Sequence, residues 1–435
     1  MNSSKAVLSF ENAPPFAAPL RFFLTAPAFG VLGGLLLAWV GADIMASRWM
    51  PATLALTHLI TIGFMLQIML GALIQILPVV AGANLPRPLL LARVVNIGLS
   101  LGALLLAGGF LDSQPRLLGA GAGVLGLTAS IILLAAAQAL RGVPTTSPTI
   151  RGLKLAMIGL GGVVGLGLLL VLALVFGWNV PLLQLVDLHA GWGLAGWAGV
   201  LLAALAYVVV PMFQLTPGYL AKPSWWFPRL ILGALLLWTL AVLAGWPVLA
   251  AVCQGLAALT GIVFALLTMR LQSLRRRARP DVTYRYWQLG LVAAIFALIM
   301  LFTAAVVPGI ADDPRWTIAF GVILMAGGFI PFIIGMIYKI VPFLAWLHLQ
   351  NCGQAKVPAP AMNKLLPDAE MQAQWRSYLV AFALLALACL FPECFARVAG
   401  VAYAVANAWL MLTLVRAIRR YRQHTVLILE KLAAR

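Results

Sequence analysis

Apolar runs of about twenty residues, the length a helix needs to cross roughly 30 Å of hydrocarbon, recur from Phe22 almost to the end of the chain. No other feature restricts the fold as much. Twelve such runs lie near 22–44, 52–80, 90–110, 116–140, 153–177, 184–213, 227–245, 248–273, 285–307, 315–345, 376–393 and 395–418. With 63% hydrophobic and 9% charged residues, the chain has too few polar side chains to coat a soluble particle of 435 residues. The expectation is one all-α polytopic membrane domain over 1–435, with no soluble domain between the spans.

The net charge of +18 raises the question of nucleic acid, but the placement of the charges answers it differently. If the chain starts in the cytoplasm, 25 of the 29 Lys and Arg residues fall on that side. The densest groups are Arg270, Arg275, Arg276, Arg277, Arg279 and Arg285 between spans eight and nine, and the run from Arg416 to Arg435 after span twelve. Only Arg48, Arg116, Arg315 and Arg397 fall opposite. This is the positive-inside pattern, and it predicts a multi-pass protein with both termini cytoplasmic. The arginine run at 275–279 would attract anionic headgroups. The first twenty residues lack the apolar core and cleavage pattern of a signal peptide, so the first span is expected to be retained. Cys253, Cys352, Cys389 and Cys394 show no CxxC spacing and fall at different depths, which speaks against a disulfide framework or zinc site.

Three of the spans are long and end alike, at Pro78, Pro211 and Pro342, 133 and 131 residues apart. Fifteen residues before each proline stands a glycine, Gly63, Gly196 and Gly327; seven before it stands Gly71, Ala204 and Gly335. The matching spacings predict three four-helix repeats, over approximately 22–140, 153–273 and 285–418, able to close around a pseudo-threefold axis. Small residues at these positions would let helices approach closely in lipid.

Polar groups inside a membrane are costly, so the few present are the functional candidates. His58 and His189 begin spans two and six at similar depth, while the corresponding stretch of span ten, Phe320 to Val322, has none. An imidazole can bind haem iron, copper or zinc through one nitrogen while the other takes a second partner, or it can simply bond a carbonyl or water. Asp187 is a candidate for that partner if the helix starts irregularly. Met65 and Met69 would share the His58 face of a regular helix and offer soft copper ligands, although methionine commonly just packs. Trp192 and Trp197 could wall a flat cofactor or pack. His348 and His424 read as surface residues, and Lys339 as snorkelling or as part of a proton path. Gln67, Gln75, Tyr207 and Tyr338 are expected to bond between helices, and Trp39, Trp49, Trp178, Trp225, Trp226 and Trp346 to anchor span ends. There is no phosphate-binding glycine loop and no GxSxG.

The segment HLITIGFMLQIMLGALIQILPVVAGANLPRP from His58 resembles the second helix of the NnrS family and, more distantly, of subunit I of the haem–copper oxidases. The opening LRFFLTAPAFGVLGGLLLAW resembles the first NnrS helix. The likeness is detailed over the first ninety residues and architectural beyond them. It implies an oxidase subunit I-like fold, twelve helices in three arcs of four. It also implies that His58 matches the histidine that ligates low-spin haem and that His189 lies in the helix carrying a copper ligand. Spans seven and ten lack the histidines that complete the oxidase centres, and His348 lies on the wrong side of the membrane to replace them. A terminal oxidase is therefore excluded. What the resemblance leaves is a bacterial inner-membrane protein binding haem or copper through His58 and His189, with haem at His58 five-coordinate or taking a second ligand such as Met325, in nitrogen-oxide tolerance or respiratory metabolism. The competing expectation is a transporter or respiratory-complex assembly factor without cofactor. Sparse intramembrane carboxylates argue against a proton-driven pump.

Overall fold

The computed structural model describes residues 10–277, 279–307, 309–354 and 356–434, and is all-helical over them. Lys5 and Arg435 of the charge pattern lie outside the described residues. Among the described residues, twelve helices are long and apolar enough to cross a membrane. Spans one to six are Ala17–Met45, Pro51–Ala81, Pro88–Leu111, Pro115–Leu140, Pro148–Phe176 and Leu182–Gln214. Spans seven to twelve are Ala221–Leu243, Pro247–Ser273, Val282–Val306, Pro314–Cys352, Asp368–Leu390 and Pro392–Ala433.

Proline marks many of these boundaries. Pro51, Pro88, Pro115, Pro148, Pro247, Pro314 and Pro392 all stand in the first turn of a helix, where the missing N–H costs nothing and the fixed φ suits the helix. Gly82 and Gly177 close spans two and five in the left-handed conformation, at φ 63° and 66°, which a side chain would resist. Two boundaries depart most from the apolar pattern. Span eleven starts earlier than its apolar run, with Asp368 and Glu370 in its first turn, where acid groups suit the helix dipole. Span twelve runs on to Ala433, because its arginines, leucines and Glu430 are good helix formers even where they no longer face lipid.

Spans two, six and ten are the most buried of the twelve. The other nine pack in the order one, three, four, five, seven, eight, nine, eleven, twelve and back to one, a closed ring around the three inner spans. Ring closure between spans one and twelve is made by glycine. A Cβ on Gly34 would lie 2.5 Å from the Ala404 nitrogen, and one on Gly400 2.4 Å from that of Ala38. The outer faces carry exposed Leu237, Leu240, Val263, Leu266 and Phe296, as surfaces solvated by lipid chains do.

Each inner span contains a stretch of wide π turns, at Leu59–Leu66, Trp192–Gly199 and Ile323–Phe329. Each stretch starts nineteen residues before the proline of its span. The small residues of the repeated pattern meet the preceding helix of the ring. A Cβ on Gly63 would strike Phe29, and one on Gly71 would strike Phe22. Gly196 and Ala204 meet Gly159 and Gly152, while Gly327 and Gly335 meet Ala293 and Tyr286. On the inner span the two contacts are eight residues apart each time, and on the outer span seven.

Candidate functional site

His58 ends the first helical piece of span two, and His189 lies in the regular helix Leu182–Gly191 that opens span six. The fold brings them together. Their rings lie 6.4 Å apart, centroid to centroid, with 27° between their planes. The imidazoles approach each other from spans two and six. Phe110 of span three covers His58 at 5.2 Å. Gly167 of span five leaves room for His189, since a Cβ there would stand 3.0 Å from the imidazole Cε1.

The tautomer follows from the hydrogen bonds. His58 Nδ1 lies 2.8 Å from the Leu54 carbonyl, and His189 Nδ1 lies 3.0 Å from that of Val163. A carbonyl only accepts, so each Nδ1 carries the proton and each neutral ring keeps Nε2 as a free base. Metal-binding histidines use this arrangement, in which the bond at one nitrogen fixes the ring and aims the other. Two rings at this separation offer two nitrogen donors to one metal. Among the described residues no third His, Cys, Asp or Glu joins the pair.

Several expectations about the surroundings are corrected. Asp187 does not support His189. The helix is regular there, residues two apart face different directions, and Asp187 pairs instead with Arg48 at 2.6 Å. Met69 is carried away from His58, because the π turns between them shift the helical register, and it lines a cavity at the centre of the bundle. Met325 folds over Gly321 of its own span. Trp192 packs on Gly162 and donates from Nε1 to Thr239 Oγ1 at 3.0 Å, joining spans five, six and seven. Trp197 is buried with its Nε1 unpaired.

The remaining polar groups gather mostly toward the arginine-rich end. Asp281 caps span nine by accepting from the Tyr284 N–H, and its other oxygen binds Arg277 at 2.8 Å and Lys339 at 2.7 Å. Lys339 is thus held in an ion pair. Gln67 bonds Asn96 and Ser100 of span three, and Tyr338 donates to Gln374 of span eleven, as interhelical groups should. Gln75 Oε1 and the Tyr207 hydroxyl, by contrast, are buried without partners. His348 is no surface residue: it is half-buried, with Nδ1 2.9 Å from the Tyr421 hydroxyl of span twelve and 3.5 Å from Cys352 Sγ. All four cysteines are free thiols.

The chain matches no protein-family model, and no curated protein is significantly similar to it.

Proposed function

We propose that this multi-pass membrane protein holds one metal centre, haem iron or copper, between His58 and His189. One observation carries the reading: two imidazoles from different inner spans lie 6.4 Å apart, each with its Nδ1 proton given to a carbonyl and its Nε2 free. A bound metal would supply redox chemistry or reversible binding of a small ligand. The protein's part would be to fix both rings and to seal one side with Phe110. Two ligands cannot build the several histidine-rich centres of an oxygen-reducing enzyme, so a terminal oxidase is not proposed.

The scaffold proposed is three four-helix repeats related by a pseudo-threefold axis, of the oxidase subunit I kind. The common spacing of prolines, π turns and helix contacts in spans two, six and ten supports it. The charge pattern supports placing the arginine-rich end in the cytoplasm. Resemblance of the His58 segment to NnrS proteins supports a role in nitrogen-oxide tolerance or respiratory metabolism.

The test is the absorption spectrum of detergent-purified protein, oxidised and reduced, with metal analysis, for the native chain, His58→Ala and His189→Ala. A stoichiometric Soret band or copper content lost in both variants is the expected result, and a band that shifts on adding nitric oxide would extend it to that ligand. Colourless, metal-free protein from cells supplied with haem and copper would overturn the reading in favour of a transporter or assembly factor.

A further inference from the structure

Arg151 stands in the first turn of span five and Arg229 in the third turn of span seven, and these spans are neighbours in the ring. The Arg151 guanidinium lies over the Trp225 ring, 4.0 Å from its centroid, and that of Arg229 lies over the adjacent Trp226 at 5.3 Å. The two like charges are close enough to repel each other. Arg229 and Trp226 are exposed, and Arg151 and Trp225 are partly so. The position of Arg151 belongs to the repeated pattern. It precedes Gly152, which meets Ala204 of the inner span, as Arg21 precedes Phe22 and Arg285 precedes Tyr286 at the equivalent contacts.

The middle third differs from the others in its lack of acid. Arg141, Arg151, Lys154, Lys222 and Arg229 lie at its arginine-rich end, whereas Asp187 is the one Asp or Glu between Asp112 and Asp281, and it pairs with Arg48 at the other end. Glu11 precedes span one, and Asp281, Asp368 and Glu370 serve the last third. Among the described residues no carboxylate pairs with any of the five cations, and the Lys154 ammonium donates to the Val143 carbonyl. Arg151 also stands at the positive end of its helix dipole, where a cation is disfavoured and an anion is stabilised. The counter-charge must come from outside the chain. Beside the arginines, Trp226, Leu230 and Leu237 share one exposed face of span seven, the kind of surface that hydrocarbon chains cover. An occupant with an anionic group at the arginines and hydrocarbon along this face is a phospholipid.

We propose that the junction of spans five and seven binds the headgroup of an anionic phospholipid, with phosphate at Arg151 and Arg229 and an acyl chain along the face of Trp226, Leu230 and Leu237. Basic sites between spans are suited to such headgroups, and a guanidinium resting on an aromatic ring keeps N–H donors for phosphate oxygens. The site is separate from the histidine pair, since His189 meets span five further along, at Val163 and Gly167.

The proposal is tested by native mass spectrometry of the delipidated full-length protein in detergent, titrated with phosphatidylglycerol and with phosphatidylcholine of the same acyl chains. One phosphatidylglycerol is expected to bind about tenfold tighter than phosphatidylcholine. The double variant Arg151→Gln, Arg229→Gln should bring the two affinities together, while Arg276→Gln with Arg279→Gln, in the exposed arginine run, should leave their ratio unchanged. Arg229→Gln alone, at an exposed position, should lower the ratio about threefold, and it decides the matter if the double variant does not fold. Equal affinities in the native protein, or a ratio that Arg229→Gln leaves intact, would overturn the proposal. So would displacement of phosphatidylglycerol by inorganic phosphate but not by chloride of equal ionic strength, which would mark a site for free anions instead of lipid.

Discussion

Arg48 and Asp187 form a 2.6 Å ion pair that joins the segment before span two to the first helix of span six, two residues from His189. It ties the two histidine-bearing spans together. Both side chains are more than a third exposed, at 34% and 43%, so water and salt weaken the attraction. A double-mutant cycle with Arg48→Gln and Asp187→Asn, followed by thermal unfolding in detergent, should give a coupling below about 1 kcal/mol. A coupling of several kcal/mol would mean that the pair is far more shielded than its exposure indicates.

If His58 and His189 share one metal, they act as a unit, and their losses will not add. His58→Ala, His189→Ala and the double variant should show the same loss of bound metal, within error, by elemental analysis. Half-retention in each single variant with full loss in the double would point to two independent sites.

Glycines of span five separate close approach from mere composition. A Cβ on Gly159 would lie 2.1 Å from the carbonyl oxygen of Gly196, a backbone atom that cannot swing aside, whereas one on Gly161 meets nothing within 4 Å. Gly159→Ala should therefore lower the melting temperature markedly by forcing spans five and six apart. Gly161→Ala should be neutral or gain up to about 1 kcal/mol from helix propensity. Equal effects would contradict the packing described.

Three glutamines, Gln214, Gln272 and Gln288, form a chain at the arginine-rich end of spans six, eight and nine. Gln272 donates to Gln214 at 2.8 Å and accepts from Gln288. Gln272→Leu would leave two amides short of a partner and should cost about 1–3 kcal/mol of stability, read as a lower unfolding midpoint. An unchanged midpoint would show that water replaces the lost bonds.

Orientation can be read from one native thiol. Cys394 is exposed near the start of span twelve, at the end opposite the arginines. A membrane-impermeant maleimide should label it in intact cells and not after Cys394→Ala, while an Arg276→Cys thiol should react only once the membrane is opened. The reverse pattern would place the arginine-rich end outside.

Much of the architecture was legible because lipid imposes a simple rule on sequence. Every span must be long and apolar, and all twelve runs became helices, most with boundaries within a few residues of their apolar limits. The prolines and small residues of spans two, six and ten were visible as spacing before any contact was known, since close approach of helices in lipid demands small side chains at fixed intervals. His58 and His189 were visible because an imidazole is rare in such surroundings. The π turns were not visible, because inserting wide turns changes no residue type, and they carried Met69 away from the face a regular helix would give it.

The sequence by itself determined that this is an all-helical membrane protein of twelve spans, because hydrophobicity and length act locally and need no partner. Which groups meet was decided only by tertiary structure. Whether Asp187 served His189 or Arg48, whether Gln75 found a partner, and whether two histidines 131 residues apart came together depended on how far helices lie from one another and how they are turned. Those distances and rotations are set by the packing of the whole ring, not by any segment alone.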